Sequence, residues 1–268
     1  MTTKSLEVLR FSANLGFLWP DRPLLGRIDA AAQAGFRAIE LHFPYAVPAA
    51  DIAAAVQRNG LTLLGINTPP GAIELGELGL AALPGRETEF QQGLDCAIEY
   101  ARGAGACFIH VLAGNVDAAG RPAAREVFAR NLAMAARKAD AHRLTLLLEP
   151  LNRQDHPRYF YSTLAEAASL IEELRIPNLK LELDVYHVAR GEGDVLTKIE
   201  RYLPLTSHVQ IAAVPSRAEP DEGEIDCREV FAALAQLGYR GWIGCEYRPR
   251  GDTDAGLKWL SRLTDSRR

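Results

Sequence analysis

The sequence predicts an α/β fold of the (β/α)8 TIM-barrel type, in a single domain spanning residues 1–268. Three observations predict it. The length of 268 residues is close to the ~250 typical of such a barrel. Short apolar runs alternate with longer amphipathic segments through the whole chain. The runs are continuously apolar, as strands of a parallel sheet buried on both faces must be.

Taken in order, the first run is residues 8–13, followed by a helical pattern over 24–34. The second and third runs are 38–43 and 61–66, followed by helical patterns over 49–59 and 87–103. Run 107–112 leads to helix 122–141, and run 144–148 to helix 164–174. Run 179–184 leads to a short helix at 194–202, run 208–212 to helix 228–237, and run 242–246 to helix 254–263. Gly35, Gly60, Gly105 and Gly238 stand just past predicted helix ends, where a left-handed residue closes the last turn. An open doubly wound sheet is the alternative, but no glycine-rich phosphate turn follows an early strand. The long Gly- and Pro-containing stretch 69–84 reads as a functional loop rather than a boundary.

Composition narrows the class. Apolar residues make up 48% and charged residues 24%, the balance of an ordinary globular protein rather than a disordered one. The net charge is −4, and no basic run exceeds the terminal Arg267-Arg268 pair. A nucleic-acid partner, which demands a basic track, is therefore not expected. No stretch reaches the ~18 apolar residues of a membrane span. The N-terminal residues 1–9 lack the apolar core of a signal peptide. Cys96, Cys107, Cys227 and Cys245 form no CxxC pair and are expected to be reduced, structural and commonly buried. Together these features predict a cytoplasmic protein.

A barrel of this type keeps its chemistry at the C-terminal ends of its strands. The predicted strands end in polar residues almost without exception: Asn14, Glu40 with His42, Asn67, His110, Glu149, Asp184, Gln210 and Glu246. A lone carboxylate closing an apolar strand is an unfavourable placement unless something compensates it. Glu149, Asp184, Gln210 and Glu246 form a plausible cation site. Their oxygen-rich, thiol-free donor set suits Mg2+ or Mn2+ better than zinc. The competing reading is a set of structural ion pairs around the barrel rim.

At these residues the sequence resembles the hydroxypyruvate isomerase family, within the xylose-isomerase-like barrels. The resemblance runs from Leu9-Arg-Phe-Ser-Ala-Asn14 to Gly244-Cys-Glu-Tyr247 and Pro249-Arg-Gly-Asp252. Between them lie Phe43-Pro-Tyr45, Asn67-Thr-Pro-Pro-Gly71, Pro84-Gly-Arg86, Leu148-Glu-Pro-Leu-Asn152 and Asp184-Val-Tyr-His187. His208-Val-Gln-Ile211, Arg217-Ala-Glu-Pro220 and Gly223-Glu224 complete the series. The family often carries Asp after the Asn-Thr-Pro-Pro-Gly loop and an aromatic or apolar residue at 227; Ala72 and Cys227 stand here.

The resemblance implies that Glu149, Asp184, Gln210 and Glu246 hold the metal and that Glu149 and Glu246 carry protons. It implies that His187 and Arg217 contact substrate, and Asn67 and His42 are expected to join them at the same mouth. The implied reaction moves a proton between adjacent carbons of a small sugar acid through an enediolate, as in hydroxypyruvate/tartronate semialdehyde interconversion. A cation would stabilise the enediolate while the two carboxylates exchange the proton. A 2-oxo-tetronate isomerase and a ketose 3-epimerase would use the same residues. A non-catalytic sugar-acid binder would need Arg217 but not both glutamates. A metal-dependent endonuclease on this barrel is disfavoured by the pI of about 5.9 and by only six histidines.

Several residues admit two readings. Arg217 either grips a substrate carboxylate or pairs with Glu219 or Glu222 at the surface. His187 either donates to substrate or is structural, and His110 could satisfy a buried carbonyl. Phe17, Trp19 and Tyr45 either wall the pocket or mark subunit contacts, so a homo-oligomer is compatible with the sequence.

Overall fold

The computed structural model describes residues 9–264. Val8, the N-terminal residues before it and the Arg267-Arg268 pair lie outside the described residues. Eight parallel strands close into a barrel in sequence order. They are β1 (Arg10–Asn14), β2 (Ala38–Glu40), β3 (Thr62–Asn67), β4 (Phe108–His110), β5 (Thr145–Leu148), β6 (Leu179–Asp184), β7 (Thr206–Ile211) and β8 (Trp242–Cys245). Closure is made by β8 on β1, with Ser12 opposite Gly244 and Ala13 opposite Cys245.

The outer layer begins with α1 (Leu24–Gln33), α2 (Ala49–Arg58), α3 (Glu87–Ala104), α4 (Arg121–Asp140) and α5 (Leu164–Leu174). It continues with α6 (Val185–Gly191), α7 (Val195–Tyr202), α8 (Cys227–Gln236), α9 (Thr253–Gly256) and α10 (Lys258–Thr264). Their buried faces are rich in alanine, which lets them lie close on the strands: Ala97, Ala101 and Ala104 of α3 and Ala135, Ala136 and Ala139 of α4 are all buried. Sequence-marked stops hold. Gly35, Gly60, Gly105 and Gly238 all have positive φ. Helix α5 starts with a full capping box, Thr163 with Glu166.

The sequence expectation misses α6. The residues after β6 read as one short helix at 194–202, yet a helical turn begins directly at Asp184, whose side chain accepts from the Tyr186 N–H at 2.8 Å. No turn residue separates strand from helix there, so the apolar segment carries no stop signal. The last predicted helix, 254–263, is two pieces, α9 and α10, interrupted at Leu257. The cysteines also divide. All four are unpaired, but Cys96 and Cys107 are exposed rather than buried. Cys96 lies on the solvent side of α3, and Cys107 stands in the bend just before β4.

Two pairings slip by one residue. Ile39 faces Leu63 but Glu40 faces Gly65, and Leu181 faces Thr206 but Glu182 faces His208. Such irregularities re-aim side chains near functional sites, and here each one directly precedes a buried glutamate. The 69–84 loop is ordered by its own contacts: Glu77 accepts from the Ala72 N–H and pairs with Arg86, each at 2.8 Å. Gly79 bridges to Ala113, which seats the loop against the end of β4. Among the described residues no helix is long and apolar enough to cross a membrane.

Candidate active site

The strand ends converge as the barrel rule requires. His42, Asn67, Glu149, His187, Gln210, Arg217 and Glu246 line one cleft at the C-terminal mouth. Asp184 sits at its floor, with Oδ2 3.7 Å from His187 Nε2 and 3.8 Å from Arg217 Nη2. All eight residues singled out in the sequence thus come together. Of the three aromatics, only Phe17 lines the cleft. Trp19 is buried, with its indole N–H on Asp254 at 2.8 Å. Tyr45 packs on Tyr100 and donates its hydroxyl to the Asn67 carbonyl, so it braces the end of β3 from behind.

The two glutamates are held in opposite ways. Glu246 accepts from Arg217 Nη2 at 2.7 Å, Asn14 Nδ2 at 2.8 Å and Gln210 Nε2 at 2.6 Å, with His42 Nε2 3.6 Å away. Burial pushes its carboxyl up, but His42 and Arg217 outweigh that and leave it below the ordinary carboxylate range. Glu149 has no comparable support. Its Oε1 has no hydrogen-bond partner, and Oε2 lies 3.3 Å from His110 Nδ1. Burial and the nearby charges of Glu246, Glu182 and Asp184 push Glu149 well above its ordinary value. Burial raises Asp184 to about 7, against the pull of Arg217.

His187 is oriented by its second nitrogen. Nδ1 accepts the Asn152 backbone N–H at 3.0 Å. A neutral ring that accepts at Nδ1 carries its proton on Nε2. That N–H points between Glu149 Oε1 and Asp184 Oδ2, 3.7 Å from each. Glu149, Asp184 and His187 are close enough to share an ion, but this tautomer makes His187 a donor to a third atom rather than a metal ligand.

The oxygens fit a hard cation better. Glu149 Oε1, Asp184 Oδ2 and Gln210 Oε1 are all buried without a hydrogen-bond partner. Unsatisfied buried acceptors are rare in native proteins and call for an unseen partner. Three of them, with the acids' charge, form a donor set of the kind Mg2+ and Mn2+ take. Glu246, the fourth expected ligand, instead has both oxygens engaged by side chains.

Beneath this layer lies a second one that sequence reasoning missed. Glu40, Glu182 and His208 are buried and mutually close enough to share an ion. The sequence marks Glu40 only as a strand end. It points into the barrel, accepts from Ser12 and Gln210, and lies 3.1 Å from His208 Nε2. Burial would raise Glu40, yet His208, Ser12 and Gln210 bring it down to about 2. The available signal was the alternation Leu179-Lys-Leu-Glu-Leu-Asp184, which puts a second acid on the same face as Asp184.

A closed barrel whose mouth gathers acids, histidines and a nearly buried arginine in one cleft has the build of a small-molecule barrel enzyme. The chain belongs to the xylose isomerase-like TIM-barrel family, whose model matches residues 28–263. Its full-length relatives are named isomerases. It is 46% identical to the 2-oxo-tetronate isomerase of Cupriavidus necator, over 94% of this chain and 97% of that protein. It is 37% identical to the hydroxypyruvate isomerase of Escherichia coli, over 94% and 98%. A solved structure from Brucella melitensis, described as an AP endonuclease of family 2, superposes with a TM-score of 0.92 at 42% identity, covering 95% of this chain and 98% of that one. The family resemblance read from the motifs is therefore borne out.

Proposed function

We propose that the protein is a metal-assisted isomerase of a small hydroxy-oxo acid, interconverting hydroxypyruvate and tartronate semialdehyde. The observation that carries this reading is the group of buried, unpartnered oxygens of Glu149, Asp184 and Gln210 in a cleft that also holds Glu246. Glu149, Asp184 and Gln210 would hold Mg2+ or Mn2+ through their unpartnered oxygens, and Glu246 would join them through Oε1, which accepts only from Arg217. When bound, the cation supplies Lewis-acid stabilisation of negative charge on the substrate's oxygens.

The chain's own groups do the rest. Glu149 and Glu246 stand on the two faces of a planar enediolate. One removes the proton from C3 of hydroxypyruvate and one carboxylate returns it at C2, while the hydroxyl proton shifts to the former carbonyl oxygen. His187 donates from Nε2 to a substrate oxygen. Arg217 keeps Glu246 ionised through Nη2 and has a buried Nε with no partner, free to donate to substrate. Asn67 and His42 also line the cleft, and Phe17 excludes water from it. Free thiols at all four cysteines suit a reducing cytoplasm.

A 2-oxo-tetronate isomerase is the second reading, favoured by the 46% identity to a relative of that name. The net charge of −4 favours a small molecule over DNA. The deciding experiment is a metal-free preparation titrated with Mg2+, Mn2+ and Co2+. It is assayed on hydroxypyruvate, 2-oxo-tetronates and simple ketoses in D2O. Turnover with deuterium incorporation on an acid substrate supports the reading. Binding without exchange under every metal would make the protein a sugar-acid binder instead.

A further inference from the structure

A hydroxy-oxo acid differs from a neutral ketose by its carboxylate. Recognising that group takes a cation whose charge is not already neutralised. Arg217 is the arginine inside the cleft, but its Nη2 lies 2.7 Å from Glu246 and 3.8 Å from Asp184. Its charge is matched by two acids. Arg250 sits near the rim, and it is held by Glu219, Asp221 and Glu222.

Arg248 differs from both. It follows Glu246 by two residues, just beyond β8, and its side chain is exposed. Among the described residues it has no ion-pair partner. Its backbone is tied down: the N–H donates to the Arg217 carbonyl at 2.7 Å, and the following Pro249 restricts residue 248 to extended conformations. Its guanidinium carbon stands 5.7 Å from the centroid of the Phe17 ring, and that of Arg217 stands 5.0 Å from the same ring. Phe17 lines the cleft. The field of Arg248 also reaches His156, another residue of the lining, whose protonation is depressed by burial, by Arg217 and by Arg248.

We propose that Arg248 determines specificity for acid substrates: its guanidinium takes the substrate carboxylate at the rim, over Phe17, while the reacting carbons lie deeper between Glu149 and Glu246. This inference rests on the reading that the substrate is a small hydroxy-oxo acid, and it deepens that reading by dividing the arginines. Arg217 serves the reacting end and Arg248 the carboxylate end.

The test uses ligands that cannot turn over. Glycerate and its neutral analogue glyceramide are titrated calorimetrically into the Mn2+-supplemented wild type, R248Q and R248K, with circular dichroism as the fold control. The wild type is expected to prefer glycerate. R248Q is expected to lose about tenfold or more of that preference, the size of a charge-assisted hydrogen bond to a carboxylate. R248K, which keeps the charge without the planar fork, is expected to recover part of it. The preference should also shrink as salt is raised, because Arg248 is exposed. A wild-type ratio retained in R248Q, or a wild type with no preference for glycerate, would overturn the assignment. If the preference is lost in R248Q although no hydroxy-oxo acid is turned over by the wild type, Arg248 stands as the carboxylate site and the isomerase reading falls.

Discussion

Gln210 donates its amide nitrogen to Glu40 Oε2 at 2.9 Å, across the barrel interior and 170 positions apart in the chain. The same nitrogen donates to Glu246 Oε2 at 2.6 Å. Both amide hydrogens are thereby committed to carboxylates, and the carbonyl oxygen is the end left without a partner. Glu40 thus sets which way round the Gln210 amide stands. Glu40→Gln is expected to let that amide rotate. Divalent-metal affinity should fall about 10–100-fold, the usual effect of removing a group that orients a ligand. Stability should fall by about 3 kcal/mol, because His208 loses its buried carboxylate. Metal titration and urea unfolding measure the two; an unchanged metal affinity would remove the orienting role.

The same pair explains a glycine. A Cβ added at Gly244 would lie 2.4 Å from Glu40 Oε1 and 2.9 Å from Gln210 Cγ. Gly244→Ala is expected to cost about 1–3 kcal/mol through overpacking and to weaken metal binding along with it. Gly251→Ala is the control. Nothing lies within 4 Å of its added carbon, so stability should stay within about 0.5 kcal/mol of the wild type.

Glu246→Gln should leave the fold intact and remove turnover by about 10²-fold or more, the scale of lost acid–base catalysis. The amide replaces the carboxylate without adding bulk among Arg217, Asn14 and Gln210. Steady-state kinetics on the folded, metal-loaded variant provide the check, and wild-type rates there would end the proton-carrying role of Glu246.

Chelation should abolish turnover and lower the melting temperature together. A cation that binds only the folded state stabilises it by about 2.7 kcal/mol at a hundred times its dissociation constant. Thermal melts with and without Mn2+ test this apart from activity. An unchanged melt at saturating Mn2+ would mean that the buried oxygens are satisfied in some other way.

The cysteines should separate in a thiol assay. Cys96 and Cys107 should react in the native protein, and Cys227 and Cys245 only after unfolding. Partial desolvation by its neighbours raises the otherwise exposed Cys107 thiol above its ordinary value. Less of it is thiolate at neutral pH, so its native labelling should accelerate as pH rises further than for a free thiol. Uniform labelling of all four at neutral pH would contradict the burial.

The barrel and the mouth were legible because both follow from period. Apolar runs mark strands, and the residue that ends each run marks the mouth, which brings Glu149, Asp184, Gln210 and Glu246 within reach of one another before any coordinates. What period does not reveal is the meeting of side chains across the barrel. That Gln210 is turned by Glu40, that Arg217 lies on Glu246 rather than on Glu219, and that His187 is an Nε2 donor depend on partners from other strands and loops. Glu182 and His208 escaped for a related reason: they lie within their strands, where a polar residue reads as an interruption rather than as an inward-facing layer.

The one-residue slip of β3 past β2 has a consequence for the length of this chain. Side chains alternate along a strand, and an extra residue is tolerated only where the pairing passes over it. Leu64 is that residue, so its excision would regularise the pairing and leave Asn67 facing the mouth. A residue added between Gly65 and Ile66 has no such place to go: Asn67 would be pushed one position on and Ile66 would take its place in the opening. A single codon gained in a hydrophobic stretch, with no polar atom deleted, would convert that side of the entrance from amide to hydrocarbon.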